Sequence, residues 1–146
     1  MLTKEQYIQA VKGLHENWKN YEERWKYHKE AIEWLKLLKP RTILEIGGLG
    51  VKLKEDSTTL DFNERWKIDQ KPDIIHDIRE TPWPINKFDC IVALEVFHHT
   101  DIEKTFEEAK KKCNILILAL PDKFDISKLP TPLRFKRFKN YKILQW

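Results

Sequence analysis

From Thr3 onward, apolar and aromatic positions recur at alternating four- and three-residue steps: Tyr7, Val11, Leu14, Trp18, Tyr21, Trp25, His28, Ile32 and Leu35. That period predicts helix as far as Leu38, opened by a capping-box pattern at Thr3 and Gln6 and stopped by Pro40. Gly13, Asn17 and Asn20 leave open whether it is one long helix or two shorter ones. Past Pro40 the pattern changes to short apolar runs between polar turns: TILEI (42–46), TTLDF (58–62), DIIHDI (73–78), FDCIVALEV (88–96) and NILILAL (114–120). These read as five strands. Ile91 to Leu94 and Ile115 to Leu120 are apolar at every position, which fits parallel strands buried on both faces. The class is therefore α/β.

Between the last two runs, Thr100 and Glu103 form a second capping-box pattern, and Ile102, Phe106, Ala109 and Cys113 form a helical stripe ending at Lys110 to Lys112. One crossover helix is expected there, its lysines complementing the helix dipole. At the end of the chain, LRFKRF and YKILQW flank Lys139 and Asn140 as an antiparallel hairpin, with Phe135 and Phe138 facing inward. The expected organisation is a single domain over 1–146: a helical cap (1–39), a core (40–121), and a loop with hairpin (122–146).

Composition narrows the picture in three places. With 146 residues, 41% hydrophobic and 34% charged, the chain can bury a real core. The longest apolar run, Ile115 to Leu120, is far short of the ~18 residues of a membrane span, and MLTKEQYIQ has no apolar leader core; a cytoplasmic protein with no membrane partner is expected. The two cysteines, Cys90 and Cys113, lie inside predicted elements without metal-ligand spacing, so buried thiols are expected, with no disulfide framework and no metal site. A balance of 27 basic against 23 acidic residues does not indicate nucleic-acid binding. The tail RFKRFKNYK could track a phosphate backbone, but a charged edge that guards against aggregation accounts for it as well.

The candidate chemistry sits where the strands end. In an open parallel sheet, ligands bind beyond the carboxyl ends of the strands, beside the point where strand order reverses. The first run ends in Glu45 and the glycines Gly47, Gly48 and Gly50; the second in Asp61 and Asn63; the third in Asp77; the fourth in Glu95, His98 and His99. Neither the dinucleotide fingerprint nor the P-loop can be laid over those glycines. Successive acids at one edge favour a ligand rich in hydroxyls and amines, since carboxylates accept hydrogen bonds and repel phosphates.

ILEIGGLG, LDFNE, PDIIHDI, PWPINKFDCIVALEVFHH and ILILALP, in that order, resemble the motif series of the class I S-adenosylmethionine-dependent methyltransferases. The likeness is greatest to the small subgroup reading acid-x-Gly, Leu/Val-Asp, His-Asp, Pro-[FW]-Pro and Phe-Asp-x-[IV] with Glu-Val-Leu-Glu-His, and it covers about residues 40 to 121. It implies a Rossmann-like, mostly parallel sheet of five to seven strands with reduced crossover helices, an N-terminal helical cap and a C-terminal β-hairpin. It implies S-adenosylmethionine as cofactor, with Glu45 anchoring the loop or the methionine amine and Gly47, Gly48 and Gly50 admitting the amino-acid moiety. Asp61 would take the ribose hydroxyls and Asp77 the adenine amine, Ile78 would pack on the ring, and Glu95 would stand near the sulfonium. His99 falls on the histidine of the family run and His98 replaces the acid before it; either could remove a proton from an acceptor. Plainer structural roles exist for each: turns, strand-end caps, a helix cap.

Departures from the pattern are concrete. Only seven residues separate Gly50 from Thr58, too few for a helix, and the third-to-fourth connection, Arg79 to Lys87, is short for a parallel crossover. The leading expectation is a methyltransferase acting on a small molecule, with the aromatic helices as lid or as a homodimer contact. The alternatives are a non-catalytic relative serving as a binding or scaffold subunit, and an RNA-directed module using the tail.

Overall fold

A computed structural model describes residues 1–12, 20–48, 51–62 and 71–146. Leu14, Trp18, Gly50, Asn63 and Asp69 therefore lie outside the described residues. The N-terminal helical stretch is divided into two helices. α1 (Lys4–Val11) opens on the expected capping box, with Thr3 accepting from the Gln6 N–H and the Gln6 side chain accepting from the Thr3 N–H; it ends at Lys12, whose backbone is extended. α2 (Tyr21–Leu38) ends on Lys39 in the left-handed conformation, directly before Pro40.

The strands are β1 (Ile43–Ile46), β2 (Thr58–Asp61), β3 (Ile74–Ile75), β4 (Phe88–Leu94), β5 (Cys113–Pro121), β6 (Arg134–Arg137) and β7 (Tyr141–Gln145). They form one sheet in the order β3-β2-β1-β4-β5-β7-β6. The first five are parallel, and β7 and β6 add antiparallel at the edge. From β1 the chain runs outward to β2 and β3, then returns to β4 on the other side of β1, so strand order reverses between β1 and β4.

The all-apolar runs are explained by two cores. Ile43, Cys90, Val92, Ile117, Ala119 and Ile143 face α2, where Tyr27, Ala31, Ile32, Trp34 and Leu35 cover them. The alternate positions Leu44, Ile46, Ile91, Ala93, Leu116, Leu118 and Leu144 face the other way, against Phe106 and Ala109 of α3 (Ile102–Lys112), with Trp83, Phe97 and Trp146. A strand alternates faces every residue, so a strand between two helical layers has no polar side. The thiols of Cys90 and Cys113 are both free and buried, in opposite cores.

Several expectations need correction. The third strand spans two residues instead of six, and the fourth stops at Leu94 because Glu95 turns into the left-handed region, φ 63°. The cap of α3 is Asp101, whose carboxylate accepts from the Lys104 N–H; Thr100 instead donates to the Phe97 carbonyl and lies 2.6 Å from the Thr105 hydroxyl. Phe135 points outward, 46% exposed, with Arg137 5.4 Å from its ring. The predicted aromatic stripe of α2 was one face too narrow. Tyr27 and Trp34 face the sheet, while Trp25 and His28 meet Tyr7 of α1, with ring centroids 5.5 and 4.5 Å away.

Trp83 accounts for the short connection between β3 and β4. Its side chain is only 1% exposed, it meets Phe97 edge-on at 6.3 Å, and its indole N–H donates to the Ile78 carbonyl. One indole fills the volume against the sheet that a crossover helix would otherwise cover. The basic tail is tied into the same chain: Lys136 to Glu30 at 3.0 Å, Arg137 to Asp122 at 2.6 Å, and Arg134 to the Gln145 side chain. Among the described residues no helix is long and apolar enough to cross a membrane, and no group of three or more His, Cys, Asp or Glu could hold a metal ion.

Candidate active site

The crevice at the reversal between β1 and β4 is lined first by the glycine turn. Gly47 has φ 72° and donates its N–H to the Leu60 carbonyl of β2 at 2.9 Å. A Cβ there would stand 2.5 Å from a Val96 methyl, so the turn is closed on both backbone and steric grounds. Gly48 is less constrained: a Cβ would meet the Val51 carbonyl at 3.3 Å. Gly47→Ala is expected to cost about 1 to 2 kcal/mol from the left-handed backbone alone, read as a lower denaturation midpoint, with any shift of Val96 adding to it.

Glu45, the last but one residue of β1, is buried. Its carboxylate accepts from the Leu53 N–H at 2.8 and 3.0 Å and from the Lys54 N–H at 3.5 Å. Burial raises its pKa, and those backbone donors pull it back. Of the two roles open to it from the sequence, its bonds are those of the loop anchor: they pin the segment that replaces a first crossover helix, with Leu53 inserted beneath. Tyr7, Val11, Tyr27 and His28 complete a small cavity against Glu45, Gly47 and Gly48, about 30 Å³, room for roughly one water.

Asp61 ends β2, and its Oδ1 accepts from the Phe62 N–H at 2.8 Å. Asp77 follows β3 and is gripped by Arg79, whose Nε and Nη2 donate to both carboxylate oxygens at 2.7 to 3.1 Å while its N–H donates to Oδ1. The Arg79 side chain bonded to it holds the Asp77 carboxyl below the usual range. Ile78 is buried in the same core cluster as Trp83.

Glu95, His98 and His99 come together after β4, the histidines in a 3-10 turn (Phe97–His99). Glu95 Oε2 lies 3.4 Å from His98 Nε2, and the two imidazole centroids are 3.9 Å apart. Burial lifts the Glu95 carboxyl to about 7, against the pull of Arg24. Burial, His99 and Arg24 push His98 down to about 4. At neutral pH, His98 is thus an uncharged imidazole and Glu95 is poised between its two forms.

Three residues of this cluster were missed at the level of sequence. Arg24 donates to the Tyr27 hydroxyl at 3.1 Å and sits 5.4 Å from the Tyr141 ring, and all three face Glu95. The i, i+3 spacing of Arg24 and Tyr27 was the available signal. Tyr141 had none, since its position depends on the hairpin docking beside β5.

Residues 50–114 match a sequence family described as a methyltransferase domain. No curated protein matches the chain. Among solved structures, magnesium protoporphyrin IX methyltransferase (ChlM) from Synechocystis PCC 6803 with bound SAM is 13% identical and superposes with a TM-score of 0.62, over 99% of this chain and 97% of that one. The methyltransferase domain of bacterial CtHen1 is 14% identical, TM-score 0.57, over 84% and 98%. The plantazolicin methyltransferase BpumL, solved with a triazolic desmethylPZN analog and SAH, is 17% identical, TM-score 0.53, over 80% and 51%. The chain has the fold of the class I S-adenosylmethionine-dependent methyltransferases and carries the methyltransferase-domain signature across its core.

Proposed function

We propose that this protein binds S-adenosylmethionine and transfers its methyl group to a small-molecule acceptor. The observation that carries the reading is the pair of acids that end the two strands flanking β1, Asp61 on β2 and Glu95 directly after β4, either side of the sterically closed Gly47 turn, with Asp77 two residues past β3. The donor set fits that cofactor, which offers an amine, two ribose hydroxyls and an adenine amine, and no phosphate for carboxylates to repel. Asp61 would accept from the ribose hydroxyls, and Asp77 from the adenine amine in competition with Arg79. Glu45 would hold the loop that frames the amino-acid end. When bound, the cofactor supplies a methyl group activated by its sulfonium.

What the chain itself contributes is positioning and proton handling. Methyl transfer is an in-line displacement that gains most from holding the acceptor in attack geometry and excluding water. Tyr7, Tyr27 and Tyr141 are buried beneath the helices and back this end of the sheet. His98, pushed down to about 4, is a weak base, which leaves His99, its ring centroid 3.9 Å away and tilted to it, as the candidate to take a proton from an acceptor hydroxyl or amine. The internal pairing of Lys136, Arg137 and Arg134 favours the small-molecule reading over one in which the tail grips RNA.

Calorimetric titration with S-adenosylmethionine, S-adenosylhomocysteine and NAD tests the cofactor assignment. Heat and a thermal shift are expected with both sulfur nucleosides and none with NAD. Absence of binding by either sulfur nucleoside overturns cofactor and enzyme together.

A further inference from the structure

Glu95 stands at the carboxyl end of β4, across the strand-order reversal from β1, the place where open parallel sheets bind their ligands. Its backbone is held at φ 63°, a conformation that costs a non-glycine residue about 1 kcal/mol or more, and its N–H is fixed by donation to the Ala119 carbonyl of β5 at 2.8 Å. The side chain is 11% exposed. One carboxyl oxygen faces His98, while Oε1 is buried with no hydrogen-bond partner among the described residues, as is His98 Nδ1. Arg24 and Tyr27 face Glu95 from α2 and Tyr141 faces it from β7; His98 lies ahead of it, and His99 stands behind His98. A strained backbone that holds a buried, half-satisfied carboxyl at the carboxyl end of a central strand marks a group completed by ligand.

The two ligands of a methyltransferase differ at one atom, a positively charged sulfonium in the donor and a neutral sulfide in the product. Resting on the cofactor assignment above, we propose that Glu95 tells them apart by its proton, giving it up to meet the charged donor as a carboxylate and keeping its own balance of acid and carboxylate beside the neutral product. Held at about 7 in the free protein, the carboxyl is protonated in about half of the molecules at pH 7. A cation brought beside it lowers its pKa by roughly 1 to 3 units, so donor binding expels about half a proton at that pH and product binding expels none. His98, already uncharged, takes no part in this exchange near neutrality. Donor affinity then falls as pH drops below 7, by up to about tenfold per unit, while product affinity stays level.

The test is calorimetry of S-adenosylmethionine and S-adenosylhomocysteine at pH 7 in two buffers of different ionisation enthalpy, on the parent and on Glu95→Gln. The parent is expected to release about half a proton more with the donor than with the product, and the variant to show no difference. Glu95→Gln is also expected to weaken the donor about tenfold and the product less than twofold. Equal proton counts for both ligands in the parent, or equal weakening of both in the variant, overturn the inference while leaving the cofactor assignment intact. Failure of the parent to bind either ligand overturns the assignment itself. Should Glu95→Gln not fold, the ratio of donor to product affinity in the parent decides. It is expected to rise about tenfold from pH 5.5 to 7.5, and a flat ratio overturns the proposal.

Discussion

Relative to the parent, the unliganded Glu95→Gln protein is expected to gain roughly 3 kcal/mol of stability as pH rises from about 4.5 to about 8. Unfolded, the Glu95 carboxyl titrates near 4.5; folded, burial holds it at about 7. Between those values the native state binds the proton that the unfolded state has lost. The contribution is therefore fully present below 4.5 and disappears as pH climbs through 7. Glutamine keeps the neutral form at every pH, so the two proteins should have similar stability in acid and diverge upward. Urea denaturation of both at several pH values reads the difference directly, and parallel curves would show that the carboxyl ionises freely in the native state. A gap that closes when S-adenosylmethionine is present, but not with S-adenosylhomocysteine, would connect this stored cost to the donor's charge.

This cost was invisible in the amino-acid order, and the reason is physical. ALEVFHH places Glu95 at the end of a buried run, but whether a carboxylate there is solvated depends on the packing of distant elements, α2 among them, whose Arg24 and Tyr27 interact electrostatically with it. The sheet itself was legible. Apolar residues at every position of Ile91 to Leu94 and Ile115 to Leu120 require a layer on each face, and both layers are present. Short connections were legible as departures but not as solutions. Nothing in PWPIN says that one buried tryptophan substitutes for a helix, and the seven residues after Gly50 do not show that Glu45 reaches across to the Leu53 and Lys54 amides. Asp77 was identified as a strand-end acid, yet its capture by Arg79 depends on the turn the chain makes there, in which the Ile78 carbonyl also accepts from the Trp83 indole. The error at Thr100 has a local origin: both Thr100 and Asp101 can cap, and the hydroxyl of Thr100 is occupied by the Phe97 carbonyl, leaving the position to Asp101.

Asp61→Asn is expected to weaken S-adenosylmethionine binding about ten- to a hundredfold while leaving the melting temperature of the free protein close to that of the parent. A carboxylate at the end of β2 can accept from both ribose hydroxyls, and charge-assisted bonds of that kind are worth about 1.5 to 3 kcal/mol each. Asparagine preserves the volume but has one acceptor oxygen and no charge. The fold has little stake in the exchange, because the bond Asp61 makes to the neighbouring Phe62 N–H can be kept by an amide oxygen. The register supports the choice of residue: Leu60 pairs with Ile46 and Asp61 with Ile75, which sets Asp61 level with Gly47, on the strand next to it. Asp69→Asn is the control, since Asp69 is the next aspartate along the chain. If Asp69→Asn loses affinity and Asp61→Asn keeps it, the ribose contact comes from the segment after β2 rather than from the strand end, and the adenine contact given to Asp77 would have to be reassigned with it.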